Sequence, residues 1–191
     1  MPRIINRIHF LGIVNLSEHC AEGDEILNQF IEERQNLDLP ALLGNCFLEE
    51  IKENLGNGTY DSLLNGGIYV VNNKKRRHFG IRRVLVHYSY AAYVYRGGMV
   101  DTPFSFVQKQ SQDSIPVPMS ELRNLHDENR KMAWDYWKMT FDYLCNNKDL
   151  FDCFDDCDCP KECDGCEEGC DDCRDRESNN TRGYRMKVIS K

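Results

Sequence analysis

The pattern of hydrophobic and polar residues predicts two consecutive helices near the start of the chain. The first has an apolar stripe at helical spacing, made of Ile26, Leu27, Phe30 and Ile31. The second has a similar stripe, made of Leu43, Phe47, Ile51 and Leu55. Between them Leu37 and Leu39 alternate with polar residues up to Pro40, and proline favours the first turn of a helix but disrupts its interior. We therefore expect helices over residues 24–35 and 40–55, packed as a hairpin across a short apolar elbow.

Two further helices are predicted downstream. Residues 80–98 carry apolar or aromatic side chains on more than one face, so we expect this helix to be covered on two sides, by the core or by another subunit. Gly97 and Gly98 would end it by permitting a positive φ. A wide apolar stripe predicts a long helix over about residues 120–146, for which Ser120 is a suitable N-cap.

The remaining segments carry weaker patterns. Residues 60–64 suit a short helical turn, and residues 66–79 suit a loop or a small strand-turn. Residues 99–118 contain three prolines and strand-like alternation, which favours a hairpin or a projecting loop. Residues 1–20 alternate weakly and contain Ile and Val, so they favour a strand or an extended arm that packs on a neighbour. The segment Tyr184–Ile189 alternates again and could extend the edge of a sheet.

These patterns together predict a mainly α fold with four segments. The helical bundle with a small β-hairpin excursion covers residues 21–150, and an extended arm covers residues 1–20. A Cys-rich acidic segment covers residues 151–177, where the hydrophobic pattern ends, and a C-terminal arm or strand covers residues 178–191. A chain of 191 residues is long enough for one domain with a single core.

Charge is distributed unevenly along the chain. The formal net charge is −7, but residues 148–177 hold 13 Asp and Glu against 4 Lys and Arg, which is −9 and leaves +2 for the rest. The acidity therefore belongs to the Cys-rich segment, and the body is close to neutral. No apolar run approaches the length of a membrane span, and the N-terminal apolar stretch is too short for a signal sequence, so we expect a soluble, unsecreted protein without a membrane partner.

Seven of the ten cysteines lie close together. They are Cys153, Cys157, Cys159, Cys163, Cys166, Cys170 and Cys173. Two pairs, Cys163 with Cys166 and Cys170 with Cys173, have the two-residue spacing that lets both thiolates reach one Zn²⁺ ion. We expect these four to be the main ligands, with the other three as possible additions. Disulfide bonds, or a disordered acidic tail with free thiols, are the alternatives.

The body has one concentration of positive charge. Lys74, Lys75, Arg76 and Arg77 follow one another, and Arg82 and Arg83 come soon after. Such a run suits contact with the phosphates of DNA without sequence specificity, as in a channel. The alternatives are a solvated loop or a loop that faces an acidic partner. The five histidines show no catalytic spacing, and no nucleotide-binding motif occurs, so we expect no enzymatic activity.

A set of short motifs occurs in a characteristic order between residues 24 and 150. The positions are Ile31, Gln35, Leu37, Asp38, Leu39, Leu43, Gly44, Leu48, Gly66, Gly67, Tyr69, Tyr88, Tyr90, Tyr93, Thr102, Pro103, Phe104 and Val107, followed by the long helix. In this order they resemble the head-to-tail connector proteins of tailed phages, of the type of the ring proteins of crAss-like phages. These adaptor proteins dock on the portal vertex and continue the DNA channel toward the tail.

The resemblance implies a structural virion protein. It implies a ring of twelve copies under the portal protein, contacts with the next tail or ring protein, and double-stranded DNA passing through the centre. Such a protein would lie at the head-to-tail junction of the virion and in the host cytoplasm during assembly. The rival interpretation is a zinc-binding regulatory or protein-interaction module built on the cysteines.

The cysteine spacing leads to a prediction about metal content. We expect about one or two Zn²⁺ per purified chain, because an acidic segment rich in thiolates binds a cation more readily than it builds an apolar core. Elemental analysis measures the zinc, and a chelator should leave the helices before residue 150 intact in the circular dichroism spectrum. Absence of metal with all seven thiols promptly titratable would refute the site. Absence of metal with blocked thiols would favour disulfides.

Overall fold

A computed structural model describes residues 2–16, 21–97, 99–101, 106–108, 117–151 and 154. The helices are α1 (Ala21–Leu43), α2 (Asn45–Glu53), α3 (Asp61–Asn65), α4 (Gly80–Arg96) and α5 (Met119–Asn146). The strands are β1 (Gly67–Val71), β2 (Lys74–His78), β3 (Met99–Asp101) and β4 (Phe106–Gln108). Short 3₁₀ turns cover Arg7–Phe10 and Lys148–Leu150. The prediction of a mainly helical bundle with a small β-hairpin is confirmed.

Helix α4 lies at the centre of the bundle. It packs against α1, α3 and α5, and ten of its seventeen residues are buried. Buried side chains lie on more than one face of the helix, among them Val84, Leu85 and Val86, which are fully inaccessible to solvent. The prediction that this helix is covered on two sides is therefore confirmed within the single chain. Strands β1 and β2 form one antiparallel pair, and β3 and β4 form another.

The predicted break before Pro40 is wrong. Helix α1 continues through Pro40 to Leu43, and the chain breaks at Gly44, which has φ 75° and ψ 155°. A proline so close to the end of a helix removes one hydrogen bond, whereas Leu39 and Leu43 are both buried and hold the last turn in place. The predicted apolar elbow is therefore helical. Helix α2 then ends at Glu53, shortly before the predicted end.

The N-terminal segment is not an extended arm in its described part, residues 2–16. It forms a 3₁₀ turn, and Ile4, Ile5 and Phe10 are buried in the core. The buried side chain of Gln35, and not a neighbouring strand, makes the hydrogen bonds to this backbone. Its Oε1 accepts a hydrogen bond from the Ile4 N–H at 2.8 Å, and its Nε2 donates one to the Pro2 carbonyl at 3.1 Å. A side-chain amide reproduces the donor and acceptor of a backbone peptide, which removes the need for a strand partner.

The ends of two helices differ from their predicted positions. Helix α5 begins at Met119 after Pro118, so Ser120 is its second residue and not its N-cap. The Pro118 carbonyl accepts hydrogen bonds from Glu121 N at 3.0 Å and Leu122 N at 3.1 Å. Gly97, which follows α4, has φ −64°, so the expected positive φ is not used there, and Gly98 lies outside the described residues.

The helical unit extends past its predicted boundary at residue 150. The described residues Phe151 and Phe154 belong to the same compact unit as the helices. Phe151 and Phe154 are buried, and their ring centroids lie 5.8 and 5.4 Å from that of Phe47 in α2. Two aromatic residues at the start of an acidic segment therefore complete the core of the helical unit.

Two glycines cross at the base of the β1–β2 hairpin. Gly66 precedes β1 with φ +84°, and Gly80 begins α4 with φ +76°. A Cβ atom at Gly66 would lie 2.6 Å from the carbonyl carbon of Phe79. A Cβ atom at Gly80 would overlap the Leu64 carbonyl oxygen and lie 2.5 Å from the Gly66 nitrogen. Both positions combine a positive φ with a close backbone approach, which only glycine allows.

This crossing leads to a prediction about stability. We expect Gly80→Ala to lower the free energy of unfolding by about 3 kcal/mol or more, because the new methyl group meets rigid backbone as well as an unfavourable φ. Gly56 has φ +88° with nothing within 4 Å of its Cβ position, so Gly56→Ala is the matched control and should lose only about 1 kcal/mol. Urea denaturation of both variants makes the comparison. Equal losses would show that the backbone crossing adds nothing.

Candidate interaction site

The β1–β2 hairpin places the predicted basic run on a regular strand. Gly67 pairs with His78 and Val71 with Lys74, which leaves a two-residue turn at Asn72 and Asn73. These asparagines have φ values of 50° and 60°. Two successive residues with positive φ give a turn whose twist matches that of the strands, and asparagine tolerates this conformation well. Of the two predictions for residues 66–79, a loop or a small strand-turn, the structure confirms the strand-turn.

Strand alternation divides the hairpin into two faces. The inner face, which packs on α5, carries Tyr69, Arg76 and His78. The outer face carries the alternate residues of the two strands, which are Ile68, Val70, Lys75 and Arg77. Ile68 is paired with Arg77, and Val70 is paired with Lys75. Successive side chains of a strand point to opposite sides, so consecutive basic residues cannot act as one patch.

Asp142 of α5 holds the inner face of the hairpin. One of its carboxylate oxygens accepts hydrogen bonds from Tyr69 Oη at 2.6 Å and from Arg76 Nη1 at 2.7 Å. Burial would raise the pKa of Asp142, but the Tyr69 and Arg76 hydrogen bonds, together with the Arg76 charge, outweigh it and hold that pKa below its usual value. Burial and the nearby carboxylate raise the pKa of Tyr69, so its hydroxyl remains a donor.

A buried ring stack completes the attachment. The His78 imidazole lies flat on the Tyr143 ring, with 3.9 Å between centroids and 6° between planes. Tyr143 Oη in turn lies 3.1 Å from Ser62 Oγ, next to the base of the hairpin. Burial lowers the pKa of His78, so the ring is neutral at pH 7. The hairpin is thus fixed to the bundle by a charged contact and an aromatic one.

The outer face of the hairpin combines apolar and positive side chains in solvent. Ile68 is 65% exposed and Val70 is 63% exposed. Lys75 makes no ion pair with any residue that the structure describes. The Arg77 guanidinium lies 5.7 Å from the Phe79 ring centroid, as a cation over an aromatic face. No Asp or Glu occurs between residues 62 and 100, so any acidic partner of a cation in this stretch comes from elsewhere in the chain, as Asp142 does for Arg76.

The four residues predicted to face DNA are therefore not equivalent. Arg76 is held by Asp142 and faces α5, whereas Lys75 and Arg77 face solvent beside Ile68 and Val70. Lys74 lies next to the turn and is exposed, although strand alternation places it on the same face as Arg76. The sequence could not separate the four, because the acidic partner of Arg76 lies 66 residues farther along the chain.

Arg82 and Arg83 also have local roles in the fold. Arg82 Nε donates a hydrogen bond to the Ile4 carbonyl at 3.2 Å, which ties the N-terminal segment to α4. The Arg83 guanidinium lies beside a pair of contacting rings, 5.6 Å from the Phe79 centroid and 5.2 Å from the Tyr136 centroid. These two cations hold elements of the bundle together, so the outward positive charge of this region is concentrated on the hairpin.

A buried polar pair sets the rotation of α5. His87 Nδ1 of α4 lies 3.0 Å from Asn129 Oδ1, and Asn129 Nδ2 donates to the Leu125 carbonyl at 2.8 Å. Because the bond to Leu125 assigns the amide nitrogen of Asn129, the atom facing His87 is Oδ1, which can only accept, so His87 Nδ1–H is the donor. Burial lowers the pKa of His87, consistent with a neutral ring in this role. This contact places Asn129 inward and the neighbouring ridge of α5 outward.

The outward ridge of α5 has two parallel rows with a seven-residue period. The apolar row consists of Leu125, Met132 and Met139, each more than a third exposed. The acidic row consists of Glu121, Glu128, Asp135 and Asp142. Residues seven apart lie two turns apart on one side of a helix, and a shift of three or four residues sets the rows side by side. The sequence analysis did not identify this ridge, although its seven-residue period is present in the sequence. The apolar stripe of α5 is wide, and the sequence does not show which of its residues stay exposed.

The predicted metal ligands lie outside the described residues. They are Cys163, Cys166, Cys170 and Cys173, with Cys153, Cys157 and Cys159. Within the described part of the chain, no group of three or more His, Cys, Asp or Glu side chains is placed to hold a metal ion. The same part contains no helix that is both long enough and apolar enough to cross a membrane. The zinc site stays a prediction.

The Asp142 contact leads to a prediction about the hairpin. We expect Asp142→Asn to speed hydrogen exchange of the amides of residues 67–78 about fivefold at pH 7, since losing the charged acceptor weakens the attachment by about 1 kcal/mol. At that pH a carboxylate with a lowered pKa contributes fully, and the contribution is lost only as pH falls through that pKa. Asp135→Asn is the control, because Asp135 pairs with Lys138 on the surface of α5 at 2.8 Å. Equal exchange rates in the two variants would contradict the anchoring role.

Comparison with known proteins identifies a matching family model. Neither a curated protein nor a solved structure is significantly similar to the chain. One family model, described as a family of unknown function (DUF6712), matches residues 39–164. The match covers well over half of the chain and includes the β1–β2 hairpin, α4 and α5. The chain therefore belongs to the DUF6712 family, a family of unknown function.

Proposed function

We propose that this protein is a structural subunit of a phage head-to-tail connector. It would form a ring under the portal protein, around the DNA channel, and link the capsid to the tail. The order of motifs along residues 24–150 is one support for this proposal. The observation that carries it is the β1–β2 hairpin, because an attached hairpin with exposed Ile68, Val70, Lys75 and Arg77 suits contact with another macromolecule more than it suits chemistry.

The proposed mechanism is assembly. The helices bury their apolar stripes within one subunit, so each subunit brings a preformed body to the junction. The hairpin and the outer ridge of α5 are left for contacts between copies, with the portal protein and with the next tail ring. Twelve copies would match the portal, and double-stranded DNA would pass through the ring without sequence recognition. The protein would join the virion during assembly in the host cytoplasm.

A second candidate function rests on a different observation. Two cysteine pairs with two-residue spacing, within seven cysteines between residues 153 and 173, suit a zinc-binding protein-interaction module. That function predicts a monomer or dimer with stoichiometric zinc and no ring. The two functions are thus separable by particle shape and metal content in one preparation.

The connector proposal is tested by imaging. We expect the purified protein, mixed with its portal protein, to give a closed ring of about twelve copies with rotational symmetry on the portal in negative-stain micrographs. The portal alone is the control for density that belongs to the portal. A complex with one or two copies, or no binding at any concentration, would refute the proposal.

A further inference from the structure

We infer that the outer face of the β1–β2 hairpin of one copy docks on the outward ridge of α5 of a second copy. This inference rests on the proposed ring and names its subunit contact. The hairpin brings Ile68, Val70, Lys75 and Arg77. The ridge brings its apolar row and its acidic row.

The two surfaces are complementary in both polarity and charge. The hairpin face pairs each exposed aliphatic side chain with a cation, Ile68 with Arg77 and Val70 with Lys75. The ridge sets an apolar row directly beside an acidic row. Glu121 and Glu128 are exposed and make no ion pair with the residues described. Contact therefore buries apolar area on both sides and gives Lys75 and Arg77 carboxylate partners.

A similar contact between the acidic row and the hairpin already occurs within one chain. Asp142 is the last member of the acidic row, and it accepts hydrogen bonds from Tyr69 and Arg76 on the inner face of its own hairpin. The row thus binds a cation of β2 within one copy at its C-terminal end. In the proposed contact, Glu121 and Glu128 in the N-terminal half of α5 bind Lys75 and Arg77 of another copy in a similar way.

The two surfaces differ, so the contact is head-to-tail. Each copy offers one hairpin face and one ridge, and each copy can therefore bind two neighbours. Such contacts repeat until the rotation closes a ring. DNA is the less suitable occupant of the hairpin face. Phosphates would use Lys75 and Arg77, but Ile68 and Val70 would remain in water against a polar backbone.

Photo-crosslinking tests the contact in the isolated protein at high concentration. A benzophenone side chain replaces Val70 on the outer face (Val70→p-benzoylphenylalanine), and the same replacement at Val71, on the other face of the strand, is the control. Mixing ¹⁵N-labelled and unlabelled chains identifies adducts between copies by their mixed isotope content. We expect the position-70 probe to give mixed adducts with peptides of residues 121–139, and the position-71 probe to give far fewer.

Charge reversal then tests the pairing. Lys75→Glu with Arg77→Glu, or Glu121→Lys with Glu128→Lys, should each lower the yield of mixed adducts at least about tenfold, because like charges then face each other. The chain that carries all four changes should regain the yield to within about threefold of the original, since opposite charges meet again. Lys74→Glu with Arg123→Glu changes the net charge as much as the first pair and should leave the yield within about threefold. Thermal unfolding of each variant checks the fold.

The outcomes separate this inference from the proposed function. Adducts of the position-70 probe with added duplex DNA, with residues 148–177, or with no α5 peptide would overturn the inference, and so would failure of the four-change chain to recover. A ring on the portal without these adducts would sink the inference and leave the connector proposal intact. Adducts with α5 but no ring on the portal would support the contact and refute the connector proposal.

Discussion

The contact between Asp142 and the β1–β2 hairpin is the interaction on which the surface of this protein depends. An isolated two-stranded hairpin has too little apolar area to be stable alone. Here Asp142 accepts hydrogen bonds from Tyr69 and Arg76, and His78 stacks on Tyr143. One side of the hairpin is therefore part of the bundle. The opposite side is thereby held outward, and its exposed apolar and basic residues take a defined position relative to α5.

The same attachment depends on two backbone features near the hairpin. Gly66 and Gly80 cross closely enough that a side chain on either would meet main-chain atoms. This crossing lets β1 leave α3 and α4 begin directly after β2, which places Asp142 within reach of both Tyr69 and Arg76. The close approach of Gly66 and Gly80 and the Asp142 carboxylate thus fix the position of the hairpin that carries the basic residues.

For the proposed connector subunit, this arrangement separates folding from assembly. The residues that stabilise the bundle, such as Leu85 and Trp137, are buried, and those proposed to contact other copies are exposed on the hairpin and on α5. The N-terminal segment belongs to the first group, because Gln35 and Arg82 bind its backbone within the same chain. The proposed assembly therefore uses preformed surfaces, which lowers the conformational entropy lost on binding.

Local patterns in the sequence were sufficient for the helical class, the central helix α4 and the strand-turn over residues 66–79, because hydrophobic period and turn residues act over a few positions. They failed at Pro40 and Ser120, where burial of Leu39 and Leu43 and the backbone of Pro118 decided the helix ends. They also gave the same predicted role to the four consecutive cations at residues 74–77. Only the tertiary structure brought Asp142 to Arg76 and left Lys75 and Arg77 outside, since that choice depends on a residue distant in the chain and close in space.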